Sequence, residues 1–289
     1  MKKSTIKTIS AAAAAVMTMT MLTACGGSND YSSYASAYKK VTANGGMNAD
    51  FSLTLKMDGA TTESDGNFKL DTSDGNNILY YTMKVDGEDI VQFSDGSYIY
   101  TESDGHKTKY ALNSKPSASA ERNDVQEKDA QANGTGSFNS TEFLKEFSSF
   151  LEAGKIKELG LLSPIEQAAI KSIKSEGSSD DQTFTLEFSE NLVKKYLNIM
   201  IENETGKSGS EALSIDEMTD FSYVAEAKDG VITGTVYSGV IKVTVPASLM
   251  STGEQTTYDM DFNIDIDFVD PGSEVSVSLP STDGYDLIS

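Results

Sequence analysis

Histidine occurs once in the 289-residue chain, at His106, and cysteine once, at Cys25. Those two counts remove much of the usual chemistry. One histidine cannot build a multi-histidine metal centre. One cysteine can make neither an internal disulfide nor a cysteine-type zinc site. A serine–histidine–aspartate triad would have to use His106, and no Gly-x-Ser-x-Gly elbow presents a nucleophile for it. His106 directly follows Asp104-Gly105 and reads as an exposed residue at a hairpin exit. Glycine-rich phosphate loops are absent from the sequence as well, so no enzyme class or cofactor is indicated.

Carboxylates are abundant, 44 against 23 basic residues, and two of their patterns could suit calcium. The first is a set of six Asp-Gly pairs between Asp58 and Gly105. An EF-hand needs acidic or Asn side chains two and four positions before the Asp that precedes Gly. Before Asp104 those positions hold Glu102 and Tyr100, and before Asp74 they hold Thr72 and Leu70. Neither fits. Asp and Gly both tolerate positive φ, so the pairs read as hairpin corners. The second pattern is "TTYDMDFNIDIDF", where Asp259, Asp261, Asn263, Asp265 and Asp267 share one face of a strand. Same-face neighbours stand roughly 6.6–7 Å apart. Calcium needs oxygens at about 2.3–2.6 Å, so the ladder reads as a solvated face that discourages edge pairing.

Cys25 has a more definite context. Lys2, Lys3 and Lys7 precede a short apolar stretch from Ile9 to Leu22, which ends in Leu22-Thr23-Ala24-Cys25. The stretch is too short and small-sided for a stable span, and has the form of an export leader. Its end has the form of a lipobox, in which small residues fit the peptidase and the thiol accepts a diacylglyceryl group. Residues 1–24 are therefore expected to be a lipoprotein signal peptide, 25–30 a polar tether, and Cys25 the point of lipid attachment. Removing the leader takes away three lysines and no acids, moving the net charge from −21 to about −24. Such a chain is repelled by nucleic acid and anionic headgroups. It would stand off the membrane on its anchor, facing the extracytoplasmic side.

The elements that would position any site alternate between two periods. Tyr31, Tyr34, Tyr38 and Val41 follow helical spacing, closed by Asn44-Gly45-Gly46. In "ADFSLTLKMDG" the period drops to two, with Phe51, Leu53, Leu55 and Met57 on one face. Further strands are predicted at 67–71, 77–85, 88–93, 97–101 and 107–112, turning at Asp-Gly pairs. Residues 113–137 hold no apolar side chain larger than Val125 and read as a flexible loop. Helices are predicted after Ser140, with Phe143, Leu144, Phe147, Phe150 and Leu151 in one stripe. Another is predicted from the capping box Ser163-Pro164-Ile165-Glu166 to Gly177. "QTFTLEF" alternates again, 190–202 carries Val193, Leu197 and Met200 at helical spacing, and 211–218 is a weaker helical stretch. Strands at 219–228, 231–245 and 256–269 close the chain. Two antiparallel meanders with helices between them make an α+β fold in one domain, 31–289.

The lipobox, the helix at 31–41, the meander opening on "ADFSLTLKM", the central helices, the acidic alternating strand and the tail with Pro271 and Pro280 together resemble the LolA/LppX-like lipoprotein-carrier superfamily. The likeness is strongest to Gram-positive lipoproteins of that plan. It implies a curved antiparallel sheet, an incomplete β-barrel, with helices across the concave face. It also implies a cavity for an acyl chain or other hydrophobic small molecule. No local motif carries a family binding residue across. The candidate ligand-binding residues come from apolar patterning: Phe51, Leu53, Leu55 and Met57 on the first strand, Met260, Phe262 and Ile264 on the last, and Phe147, Phe150 and Met200 from helices. Methionine suits a surface that must accept variable apolar shapes. A filled core supporting a partner-binding or wall-binding envelope module remains the alternative, with its protein partner unspecified. Replacing Cys25 by Ala is expected to abolish palmitate labelling and release the protein from the membrane fraction; retained label on the C25A chain would refute lipid attachment there.

Overall fold

The computed structural model describes residues 29–57, 60–73, 78–85, 88–103, 105–111, 164–165, 170–178, 180–191, 193–195, 198, 214–247 and 254–287. Helix α1 (Asn29–Val41) carries Asp30 in its first turn and Lys39 and Lys40 in its last, each sign matching the helix dipole. Tyr34, Ala37, Tyr38 and Val41 are its buried stripe. Gly45, at φ 80°, ends the turn that follows, donating its amide to the Thr42 carbonyl at 3.1 Å.

Twelve strands form one sheet. The first meander is β1 (Gly46–Met57), β2 (Ala60–Asp71), β3 (Ile78–Val85), β4 (Glu88–Ser94), β5 (Tyr98–Ser103) and β6 (His106–Ala111). The second is β7 (Ile170–Ser178), β8 (Asp181–Phe188), β9 (Ser214–Lys228), β10 (Val231–Val245) and β11 (Thr256–Phe268). Each is antiparallel and runs in chain order. They join where β1 pairs with β11, setting Phe51 opposite Ile266, Leu53 opposite Ile264 and Leu55 opposite Phe262. The short β12 (Asp286–Leu287) adds in parallel to β6. The sheet is curved and does not close, since its two ends are β12 on one side and β7 on the other.

One face is largely apolar. Tyr81 and Met83 on β3, Leu53 and Leu55 on β1, Met260, Phe262 and Ile264 on β11, Tyr237 and Ile241 on β10, Tyr223 on β9, and Phe184 and Leu186 on β8 belong to a single buried cluster. Helix α1 packs on this face over β10 and β7. Tyr34 fixes it there: its ring meets Phe184 and Tyr223 edge-on, and its hydroxyl lies 3.1 Å from the Tyr223 hydroxyl. The same hydroxyl accepts the Ile165 amide at 3.2 Å.

Three expectations change here. Asp65-Gly66 is not a corner, because β2 runs straight through it. The glycine is required by packing instead. Gly66 lies opposite Phe51, and a Cβ on it would stand 2.6 Å from the Phe51 ring and 2.1 Å from the Thr82 carbonyl oxygen. Phe51 thereby reaches across β2 to stack on Tyr81, centroids 5.5 Å apart and planes within 9°. The helix expected over 163–177 gives way to a strand from Ile170, with Gly177 (φ 98°) in the β7–β8 hairpin. "IKSIKS" satisfies an i, i+3 pattern and a strand equally, and pairing with β8 decides. Likewise 211–218 is not helical where described, because β9 begins at Ser214. Of the helices expected across the concave face, only α1 is placed complete; the described residues from 190 to 198 are helical, and 140–151 and the loop 113–137 lie outside the described residues.

A β-bulge helps to shape the second meander. Asp220, at φ 54°, and Phe221 together oppose Gly239, between the pairs Ser222–Ser238 and Thr219–Val240. A Cβ on Gly239 would come within 3.2 Å of both Phe221 Cα and the Phe262 ring. Gly66→Ala is expected to destabilise the protein by about 1–3 kcal/mol, since the new methyl overpacks a site bounded by backbone; denaturant melts of the two proteins measure it, and an unchanged midpoint would disprove the packing role of this glycine.

Candidate functional site

The β1–β11 seam gathers most of the residues marked by apolar patterning. Leu53, Leu55, Met260, Phe262 and Ile264 are all buried, and Phe51 is half-buried beneath its stack on Tyr81. Met57 ends β1 opposite Met260. Strand alternation puts them on one face, and the antiparallel register puts them side by side. Neighbouring rings extend the surface, with Phe221 6.1 Å from Phe262 and 4.8 Å from Phe188. Phe147, Phe150, Met200 and Cys25 lie outside the described residues.

Sequence patterning missed two polar features of this face. The first is a set of tyrosines with hydroxyls inside the core. Burial pushes the phenols of Tyr34, Tyr38, Tyr81, Tyr223 and Tyr237 well above their ordinary range, so all five stay neutral. The second is Gln92, only 1% exposed on β4. Its cross-strand partners are Tyr81 and Thr101, which places it on the apolar face. Ser94 and Ser103 are buried beside it on the same face. The Gln92 amide nitrogen donates to Thr101 Oγ1 at 3.1 Å, and its Oε1 has no partner. Alternation in "DIVQFS" sets Gln92 with Ile90 and Ser94 on one face and Val91 and Phe93 on the other, so it does not by itself mark Gln92 as buried.

The residues considered for catalysis or metal binding are dispersed. His106 is exposed at the start of β6, opposite Ser103. Asp95 is a corner residue. Its Oδ1 accepts the Ser97 and Tyr98 amides, each at 2.8 Å, and its Oδ2 accepts the Tyr100 hydroxyl at 2.8 Å. Burial alone would raise its pKa, but these hydrogen bonds outweigh that and leave it below the usual carboxylate range. Burial, then the bond to Asp95, pushes Tyr100 up to about 12. The acidic ladder of β11 lies on the outer face. Asp267 sits opposite Asp50, while Asp261 and Asp259 sit opposite Lys56 and Lys242. Among the described residues no group of three or more His, Cys, Asp or Glu side chains could hold a metal ion. No helix among them is long and apolar enough to cross a membrane.

No protein-family model matches the chain, and no curated protein sequence matches it. Solved structures do, at low TM-scores. LprF from Mycobacterium bovis is 9% identical, with 89% of this chain and 100% of that one covered, at a TM-score of 0.30. A DUF1329 family protein from Desulfovibrio piger is 9% identical, with 87% and 96% covered, at 0.27. A LolA superfamily protein from Nitrosomonas europaea is 8% identical, with 84% and 95% covered, at 0.20. One of the three is named for the LolA superfamily, which the sequence resembles. At these TM-scores the likeness carries no ligand or activity across.

Burial first, and the Asp267 charge second, hold the Asp265 carboxyl above its usual range. A raised carboxylate pKa means that the ionised form is worse off folded than unfolded. The penalty is present above the folded pKa and disappears below the unfolded one. Asp265→Asn is therefore expected to raise Tm at neutral pH, with the gain fading as the pH falls through the carboxylate range; a gain that persists at acid pH would contradict this origin.

Proposed function

We propose that the protein is a membrane-anchored extracytoplasmic binding protein that takes up a lipid or similar hydrophobic molecule on the apolar face of its sheet. It does so without catalysing a reaction. The observation that carries this reading is the apolar face itself. It runs from β3 to β8 on a sheet that does not close, and α1 packs mainly over its β10 and β7 portion. An antiparallel sheet buries one face against something, and a curved, unclosed sheet is a shape that can do so around a guest. The driving force is adequate. Each methylene moved from water into such a surface contributes about 0.8 kcal/mol, so one acyl chain offsets the cost of association. The adaptable side chains on that face, Met83 and Met260 among them, suit chains of varying shape.

The anchoring half rests on the Leu22-Thr23-Ala24-Cys25 sequence and its basic, apolar leader. A strongly acidic body on such an anchor is held off an anionic bilayer, leaving its face free to exchange a guest with the membrane. Protein purified from membranes in mild detergent is expected to carry a lipid visible by native mass spectrometry and recoverable by solvent extraction, and the stripped protein to take up a fluorescent fatty acid. Finding neither a bound molecule nor uptake would overturn the binding reading.

A further inference from the structure

We infer that Gln92 is a polar anchor within the apolar face, and that the molecule held there carries a neutral hydrogen-bond donor, a hydroxyl or an amide N–H, at its head. The inference rests on the binding reading above and adds to it the chemistry of the guest's head. Three observations lead to it. Gln92 is 1% exposed, yet its Oε1 meets no donor. Buried carbonyl oxygens are nearly always paired, so an orphan calls for a missing partner. The oxygen is also held in place, because the other end of the same amide donates to Thr101 at 3.1 Å.

Position then links this oxygen to the candidate surface. Gln92 lies directly opposite Tyr81, and Tyr81 stacks on Phe51 of the β1–β11 seam at 5.5 Å. An apolar chain lying along the seam would bring its head across Tyr81 to Gln92. Chemistry narrows the head. A carbonyl oxygen accepts, so the partner donates. The neighbours of Gln92 on its own face are Tyr81, Thr101, Ile90 and Ser94. None carries a charge that would balance a phosphate or an ammonium, and either would be buried without a counter-ion at heavy cost. A neutral hydroxyl or amide head meets no such penalty.

The test compares two probes with the same oleoyl chain, monoolein with free hydroxyls and methyl oleate with none, each displacing an anthroyl-stearate reporter from the full-length protein. One neutral hydrogen bond is worth a preference of about fivefold for monoolein. Gln92→Met is expected to erase that preference. Equal binding of both probes by the unaltered protein would overturn the anchor while leaving the binding reading intact. Failure of reporter and probes alike to bind would overturn both. A Gln92→Met protein with raised Tm and undiminished preference would show that the oxygen is only an unpaired core atom, which also overturns the anchor. Should Gln92→Met fail to fold by circular dichroism, Gln92→Asn, which keeps the amide but withdraws the oxygen by one methylene, is expected to lose the same preference, and its retention would refute the inference.

Discussion

The pairing of β1 with β11 is the contact on which the rest of the molecule depends. Each meander is assembled from neighbours in sequence, hairpin by hairpin, and could in principle form locally. The β1–β11 ladder alone joins the two, bringing residues 49–57 against residues 260–268. Without it there would be two smaller sheets, each with a further free edge and only part of the apolar face. With it the face becomes continuous and the sheet curves as one body. Closing so long a loop costs entropy before any contact rewards it, so this pairing is expected to form late in folding.

Two segments then secure the joined sheet from its two sides. Helix α1 lies on the apolar face and is pinned through Tyr34 to β8 and β9 and to the Ile165 amide. The C-terminal segment works on the other side. Val269 donates to the Asn48 carbonyl and Gly272 to that of Val41, and Val275 lies against Gly46. Farther on, Tyr285 meets Phe93 and Tyr100 edge-on, forming a small second core with Leu279, Tyr80 and Tyr98. Lys107 rests 5.3 Å from the Tyr285 ring centroid. The segment ends as β12 alongside β6, an edge that would otherwise invite pairing with another chain. The curved sheet is thus tied at its centre and covered at one rim.

The distribution of polar groups separates the two faces by role. Outward, carboxylates crowd along β11 at the expense of some repulsion, as between Asp50 and Asp267. Inward, the polar atoms are few, neutral and mostly paired. Tyr81 donates to Met83 Sδ at 2.9 Å, and Tyr34 and Tyr223 pair with each other. Against that background one unpaired amide oxygen stands out, because an apolar core would be better served by leucine in its place.

Much of this was legible in the amino-acid sequence. Alternation located most of the strands, with β10 falling at residues 231–245 as read, and helical spacing located the helix read over 31–41, which runs from Asn29 to Val41, because a period of two or 3.6 is a local property of the chain. Asp95-Gly96 was readable as a corner for the same reason. Other features belong to neighbours distant in sequence. Gly66 reads as a turn until Phe51 and Thr82 are seen to occupy the space around it. Residues 170–178 satisfy helix and strand patterns alike until β8 supplies the hydrogen bonds. Asp220 shows nothing in its sequence context of the bulge opposite Gly239. The face on which Gln92 lies follows from alternation, but its unpaired oxygen does not. Side-chain period is written residue by residue, so the sequence by itself determined which faces are apolar. Which strands meet, and which polar atoms lack a partner, is decided only when segments two hundred residues apart compete for the same space.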